Sequence, residues 1–166
     1  VVDAVSVPVI AAGGLHDARS MLAALALGAS GVQMGSRFVM TRENPAHAAF
    51  KQRIADAQAG DTRLMLKDVT PVRLLRGPDG SFFDQVSQAE EVGADVQALR
   101  ALLGRGRAKK GMREGDLLEG ELEIGQVSAL LDDLPGAGEL VERIVQDFKA
   151  FKTRDMAQGF FWEGLA

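Results

Sequence analysis

Two stretches decide the fold that we predict for this chain: Val7-Pro-Val-Ile-Ala-Ala-Gly-Gly14 and Gly31-Val-Gln-Met-Gly-Ser-Arg37. Each is a mainly apolar run that ends in small residues. A continuous apolar run, without polar alternation, indicates a strand that is buried on both faces of a parallel sheet. Each stretch therefore predicts a buried strand that leads directly into a tight turn.

The residues that follow each strand predict helices. Asp17 is a suitable N-cap, apolar residues then recur at helical spacing, and Gly28 provides a stop. Strand, helix and strand in this order predict two parallel neighbouring strands. We expect the next helix to be capped by Asn44, to carry Pro45 at its first position and to end at Gly60.

The second half of the chain carries weaker signals. Thr70 to Leu75 is compatible with extended chain, residues 96–103 with a helix, and the pattern after Pro135 predicts a long amphipathic helix. The tail from Gly159 to Ala166 is apolar and aromatic, so we expect it to dock on another surface.

Two parallel strands alone cannot form a stable covered sheet, because both outer edges would leave backbone groups unpaired. A complete (β/α)8 barrel takes about 250 residues, and this chain has 166 and begins with Val. The predicted fold class is therefore α/β: the C-terminal portion of a TIM (β/α)8 barrel, its last two βα units, plus a mainly helical C-terminal extension. We place the barrel part at residues 1–62 and the extension at residues 63–166.

Composition and charge exclude several classes of partner and site. The net charge of −4 argues against a nucleic-acid partner, and the absence of cysteine excludes a thiolate metal site and a cysteine nucleophile. The sequence contains no run of about 18 apolar residues, so it predicts no membrane span. We expect a cytoplasmic protein without a metal site, and the sequence leaves its oligomeric state open.

The two turns predict a phosphate site. Glycine lets backbone amides approach an anion closely, and in TIM barrels the phosphate commonly binds the loops after strands seven and eight. Ser36 adds a hydroxyl donor. For Arg37, a contact with the phosphate and a salt bridge at the barrel rim both stay open. Solvated or structural roles are favoured for His16 and His47, and a solvated loop for the basic residues between 105 and 110.

The chain resembles the C-terminal half of nitronate monooxygenases. The resemblance rests on residues 7–15, 23–29, 31–38 and 41–47, and more loosely on Gly120-Glu-Leu-Glu-Ile-Gly-Gln126. It implies an FMN-binding TIM barrel that oxidises alkyl nitronates with O2 to carbonyl compounds and nitrite. Carried onto this sequence, the phosphate binders are Gly13, Gly14, Gly35 and Ser36.

The resemblance also leaves alternatives. Flavin-dependent enoyl-acyl-carrier-protein reductases, in which NAD(P)H is the electron donor, share the pattern, and IMP dehydrogenase-like barrels share part of it. A non-catalytic, truncated binding or interaction module is the alternative of a different class. Ser36 stands where the family usually has Thr, which is a mild change. The family's proposed catalytic His lies upstream of the residues present here, so we assign no catalytic residue. We expect this chain alone to be inactive.

Overall fold

The computed structural model describes residues 1–158, with side chains described up to residue 152, so the predicted docking of the tail lies outside the described residues. The chain forms two compact units. The first contains Val1–Gly35 together with the helix that follows Pro135, and the second is Ser36–Leu134. These units cut the chain elsewhere than the predicted boundary after residue 62, which stays a prediction about the complete protein.

The first unit is built on one βαβ motif. Strand β1 is Ile10–Ala12, helix α1 is Ala18–Ala26 and strand β2 is Gly31–Gln33, and the two strands pair in parallel as predicted. A short 3-10 helix precedes them at Val2–Ala4.

The ends of α1 match the sequence signals. The Asp17 carboxylate accepts the amide hydrogen of Ser20 at 2.8 Å. Gly28, at φ +91°, follows the end of the helix. The long C-terminal helix of the chain, α6 at Ala137–Gln158, packs against α1.

The expected burial of β1 is wrong for the described chain. Ile10, its first residue, is 57% exposed, and Val7, which the sequence predicted as part of this strand but which precedes it, is 66% exposed. The physical reason is that β1 pairs only with β2, in a sheet of two strands. A sheet this narrow cannot enclose apolar side chains on both faces.

The second unit is α/β with an antiparallel hairpin. It contains helices α2 (Ser36–Val39), α3 (Ala48–Ala55), α4 (Phe82–Glu91) and α5 (Val96–Leu103), and strands β3 (Thr62–Met65) and β4 (Val72–Leu75). A π-helix at Lys109–Arg113 and a 3-10 helix at Gln126–Leu130 complete it. The region predicted as mainly helical thus contains helices, but also a hairpin, of which the sequence predicted only extended chain from Thr70 to Leu75.

Strand β4 divides the core of the second unit. Successive side chains of a strand point to opposite faces, so Leu74 and Leu75 enter different apolar clusters. Leu75 packs with residues of α3, including Phe50 and Ile54. Leu74 packs with Phe82 of α4.

The start of α3 is three residues later than predicted. His47 is the N-cap, its Nδ1 accepting the amide hydrogen of Ala49 at 3.1 Å. Asn44 instead accepts the amide hydrogen of Ala46 at 2.9 Å, which closes a turn before the helix. Asn side chains compete in this way between caps and local turns. Among residues 1–158, no helix has the length and apolar character to cross a bilayer.

Candidate functional site

The predicted phosphate site begins where β1 and β2 end. The register pairs Ala12 with Gln33, and neighbouring strands lie about 4.8 Å apart. The two strands therefore end side by side. Gly13 and Gly14 follow one end, and Gly35 follows the other after a single intervening residue.

The glycines at these turns are not all there for the same reason. Gly13 has φ +91° and Gly14 has φ +73°, conformations that other residues adopt only with strain. Gly35 has no such conformation, and open space surrounds the place where its Cβ would stand. Neither backbone strain nor packing within the described chain therefore requires glycine at Gly35.

Two backbone amides at these turns lack an acceptor within the described residues. Within residues 1–158, the amide groups of Gly14 and Gly35 donate to no protein acceptor. The N-terminus of α1, in contrast, is already occupied by the Asp17 carboxylate. Burial opposes the ionisation of Asp17, but hydrogen bonds from the Ser20 amide and hydroxyl lower its pKa below the ordinary value. The donors near β1 that lack a protein acceptor are thus the turn amides rather than those of this helix end.

Ser36 follows Gly35 directly and is the first residue of the second unit. Its Oγ accepts a hydrogen bond from the amide of Gly125 at 3.1 Å. An open cavity of about 420 Å³, lined in part by Ser36, Val39, Arg73 and Gly125, adjoins it. A hydroxyl that accepts one bond keeps its own proton to donate, so Ser36 can still serve as a donor.

Arg37 forms the salt bridge that the sequence left as one of two alternatives. Its guanidinium is 2.6 Å from the Asp133 carboxylate, and its side chain is only 4% exposed. It also donates to the carbonyl oxygen of Met40 at 3.3 Å. The geometry assigns Arg37 to holding residues 37–40 against residue 133.

The two histidines lie at helix starts. His47 caps α3, and its ring occupies the space in which a Cβ of Gly115 would stand. His16 lies just before α1, with Nε2 4.0 Å from Asp17, and its buried Nδ1 has no hydrogen-bond partner among the described residues. The role of His47 is structural.

The basic residues between 105 and 110 are mostly engaged within the chain. Arg107 lies over the Phe82 ring at 4.5 Å and donates to the Glu119 carbonyl oxygen at 2.7 Å. Lys109 pairs with Glu114 at 2.7 Å, and Lys110 with Asp116 at 3.2 Å. Arg107 thus has a structural role, whereas Arg105 and Lys109 are exposed, as the prediction of a solvated loop expects.

A residue that sequence reasoning did not single out is Glu121. It is 8% exposed, and burial together with the nearby Glu123 raises its pKa to about 7, although Arg107 opposes the rise. Burial of this carboxyl depends on pairing distant in sequence, since the amide of Leu75 donates to the carbonyl oxygen of Leu122. No local signal could have identified it.

A second cavity, of about 480 Å³, lies near the start of α3 and away from the predicted residues. Its lining includes Arg42, Lys51 and Asp132. Lys51 uses its ammonium group to bind the carbonyl oxygens of Thr41 and Asn44 at 2.6 and 2.7 Å. The lining of this cavity carries charges of both signs, and the Lys51 ammonium group is bound to backbone oxygens. This combination does not indicate a particular ligand.

The chain is similar in sequence to several named proteins, among them a dehydrogenase and a probable nitronate monooxygenase. A "(3aS,4S,5R,7aS)-5-hydroxy-7a-methyl-1-oxo-octahydro-1H-indene-4-carboxyl-CoA dehydrogenase" of Rhodococcus jostii (strain RHA1) is 33% identical, over 89% of this chain and 51% of its own length. A probable nitronate monooxygenase of Bacillus subtilis (strain 168) is 56% identical, over 37% of this chain and 18% of its own length.

A solved structure, FabK from Thermotoga maritima, superposes with a TM-score of 0.83 at 35% identity, over 95% of this chain and 49% of its own. The chain thus spans about half the length of the Rhodococcus dehydrogenase and of FabK. The nitronate monooxygenase family model matches residues 1–147. The chain therefore belongs to the nitronate monooxygenase family.

Proposed function

We propose that the chain is the C-terminal part of an FMN-dependent oxidoreductase and that it anchors the flavin phosphate with Gly13, Gly14, Gly35 and Ser36. Supporting this are the two unpaired amides at Gly14 and Gly35 and the hydroxyl of Ser36. The single observation that carries the proposal is Gly35, a glycine that neither its conformation nor its packing explains. Close approach of a ligand is one physical reason for such a residue, and the position of Gly35 just after the end of β2 supports it.

The architecture we propose is a (β/α)8 barrel in which β1 and β2 are the last two strands. Exposed apolar side chains on β1, such as Ile10 at 57% exposure, are what a parallel strand presents when its neighbours lie elsewhere in the protein. The likeness to FabK over about half of that chain supports the same conclusion.

The activity we propose for the complete protein is the oxidation of alkyl nitronates with O2 to carbonyl compounds and nitrite. FMN, when bound, supplies the redox chemistry. The residues of this chain hold the phosphate dianion through amide hydrogens at Gly14 and Gly35 and through the Ser36 hydroxyl, which fixes the position of the cofactor. No residue of this chain is assigned the proton transfer, so we propose that residues upstream provide it and that the chain alone does not turn over nitronates.

A second candidate is an oxidoreductase that acts on an acyl thioester, with NAD(P)H as the donor in the reductase case. One observation favours it: the CoA-ester dehydrogenase relative matches 89% of this chain, whereas the Bacillus nitronate monooxygenase matches 37%. Nitrite release from a nitronate and NADH oxidation with an enoyl thioester, measured on the full-length protein, separate the two.

The phosphate site is tested with Gly14→Asp in the full-length protein. The new carboxylate is placed on a backbone at φ +73°, where it strains the turn and repels the phosphate. We expect FMN binding to be lost and riboflavin binding to change much less, as followed by flavin fluorescence. Unchanged FMN affinity would remove the phosphate assignment. Absence of flavin absorbance and of any flavin binding in the wild type would favour a non-catalytic module.

A further inference from the structure

Gly125 contacts the hydroxyl of Ser36 from a distant part of the second unit. Its amide donates to Ser36 Oγ at 3.1 Å. A Cβ on Gly125 would stand 2.8 Å from the same oxygen, closer than real contacts allow. The backbone of Gly125 has φ −70° and ψ 155°, which any residue can adopt. A Cβ at residue 125 would therefore displace the Ser36 hydroxyl, while the backbone conformation gives no separate reason for glycine.

The backbone around Gly125 is held on both sides. The amide of Ile124 donates to the carbonyl oxygen of Arg73 at 3.2 Å, which ties the preceding residue to β4. On the other side, the amide of Ser128 donates to the carbonyl oxygen of Gly125 at 3.0 Å, and Ser128 is fully buried. The backbone that carries the Gly125 amide is therefore held by contacts that do not involve Ser36.

This hydrogen bond has a chemical consequence for Ser36. Because Oγ accepts the Gly125 amide hydrogen, one lone pair is occupied and the hydroxyl proton must point elsewhere. Among residues 1–158 no acceptor takes that proton, and the open cavity of about 420 Å³ adjoins both residues. The arrangement presents a donor that is already oriented before a ligand binds, which lowers the ordering cost of binding.

We propose that Gly125 is a positioning residue that orients the Ser36 hydroxyl toward the phosphate of the flavin. The proposal rests on the phosphate site proposed above and deepens it. It adds to the two glycine turns a third segment, residues 121–125, which would orient one of the phosphate donors. The ligand chemistry is a phosphate monoester dianion on a flavin; a flavin without the phosphate does not use this contact.

The test is a double-mutant cycle on the full-length protein. FMN and riboflavin affinities are measured by fluorescence titration for the wild type, Gly125→Ala, Ser36→Ala and the double variant. Gly138→Ala is the matched control, because it makes the same chemical change on a glycine with ordinary conformation and open space. Thermal unfolding of the apo proteins checks that each variant folds.

We expect each single variant to weaken FMN binding about tenfold, the effect of losing one charge-assisted hydrogen bond, with riboflavin binding unchanged. The double variant should be no weaker than Ser36→Ala, because Gly125 acts only through that hydroxyl. Gly138→Ala should leave both affinities at the wild-type value.

The outcomes separate the two proposals. If Ser36→Ala leaves the ratio of FMN to riboflavin affinity unchanged, the phosphate site itself is wrong. If Ser36→Ala lowers that ratio but Gly125→Ala does not, or if the two effects multiply in the double variant, only the positioning role is overturned.

A measurement on the wild type covers the case in which Gly125→Ala does not fold. The amide resonance of Gly125 should shift on adding FMN and stay in place on adding riboflavin. In Ser36→Ala that FMN-dependent shift should disappear. An FMN-induced shift that persists in Ser36→Ala, or none in the wild type, contradicts the positioning role.

Discussion

Replacing Glu121 by Gln should remove a pH-dependent loss of stability. Burial and the neighbouring Glu123 raise the pKa of this carboxyl from 4.5 to about 7, against the opposing influence of Arg107. Between pH 4.5 and pH 7 the folded protein keeps a proton on Glu121 that the unfolded chain has released. The free energy of unfolding contributed by this group therefore falls as the pH rises through that window and levels off above about pH 7.

The size of the effect follows from the same values. Each tenfold change in proton affinity corresponds to about 1.4 kcal/mol, so the rise in pKa corresponds to about 3 kcal/mol. Glu121 is 8% exposed, so solvent screens little of this cost. Gln has the shape of the protonated acid and no charge. We expect the variant to match the wild type near pH 4.5 and to exceed it by about 3 kcal/mol at pH 8.

The assay is urea unfolding of wild type and variant at both pH values, with the difference between the two proteins as the readout. Carboxyls that do not interact with Glu121 contribute equally to both proteins and cancel in this difference. Glu114→Gln is the control, since its side chain is 51% exposed and pairs with Lys109 at the surface. That variant should change stability by less than about 1 kcal/mol at either pH. A stability difference for Glu121→Gln that is the same at both pH values would refute the reasoning.

Three further substitutions test how the second unit is held together, each by urea unfolding. Ile54→Ala removes a fully buried side chain and should cost about 3 kcal/mol, with a loss under about 1 kcal/mol arguing against the assigned core. Asp95→Ala removes the carboxylate that accepts the Ala98 amide hydrogen at 2.8 Å and should cost about 1 kcal/mol, whereas an unchanged midpoint would mean that this cap contributes nothing. Asp133→Asn leaves the buried Arg37 guanidinium without its charged partner at 2.6 Å. It should cost about 2 kcal/mol of unfolding free energy, an amount between those of exposed and fully buried ion pairs. An unchanged unfolding free energy would show that water or other acceptors replace the carboxylate.

Much of the first unit could be predicted because its signals are local. The Asp17 cap, the glycine after α1 and the two apolar runs each act within a few residues, and together they specify a βαβ motif. The helices α5 and α6 were recognisable for the same reason. Family membership followed from the same short motifs.

Helix α3 shows where local signals compete. Asn44 and His47 can both cap a helix, and the contacts of each side chain decide which one does. His47 caps because its ring packs on Gly115 and its backbone amide donates to the carbonyl oxygen of Met112 at 2.8 Å, residues more than sixty positions away. The Asn44 side chain does accept a backbone amide hydrogen, as a cap would, but the bond closes a turn before the helix.

By itself, the sequence determined which residues form the glycine turns, where α1 starts and stops, and that β1 and β2 are parallel neighbours, because those features depend on backbone conformation and short-range hydrogen bonds. Tertiary structure alone decided that Arg37 pairs with Asp133, that Glu121 is buried and that Gly125 holds the Ser36 hydroxyl. Each of those contacts joins residues that lie from 14 to 96 positions apart or depends on pairing with β4. Which distant groups meet is set by the packing of whole elements, and no short stretch of sequence encodes it.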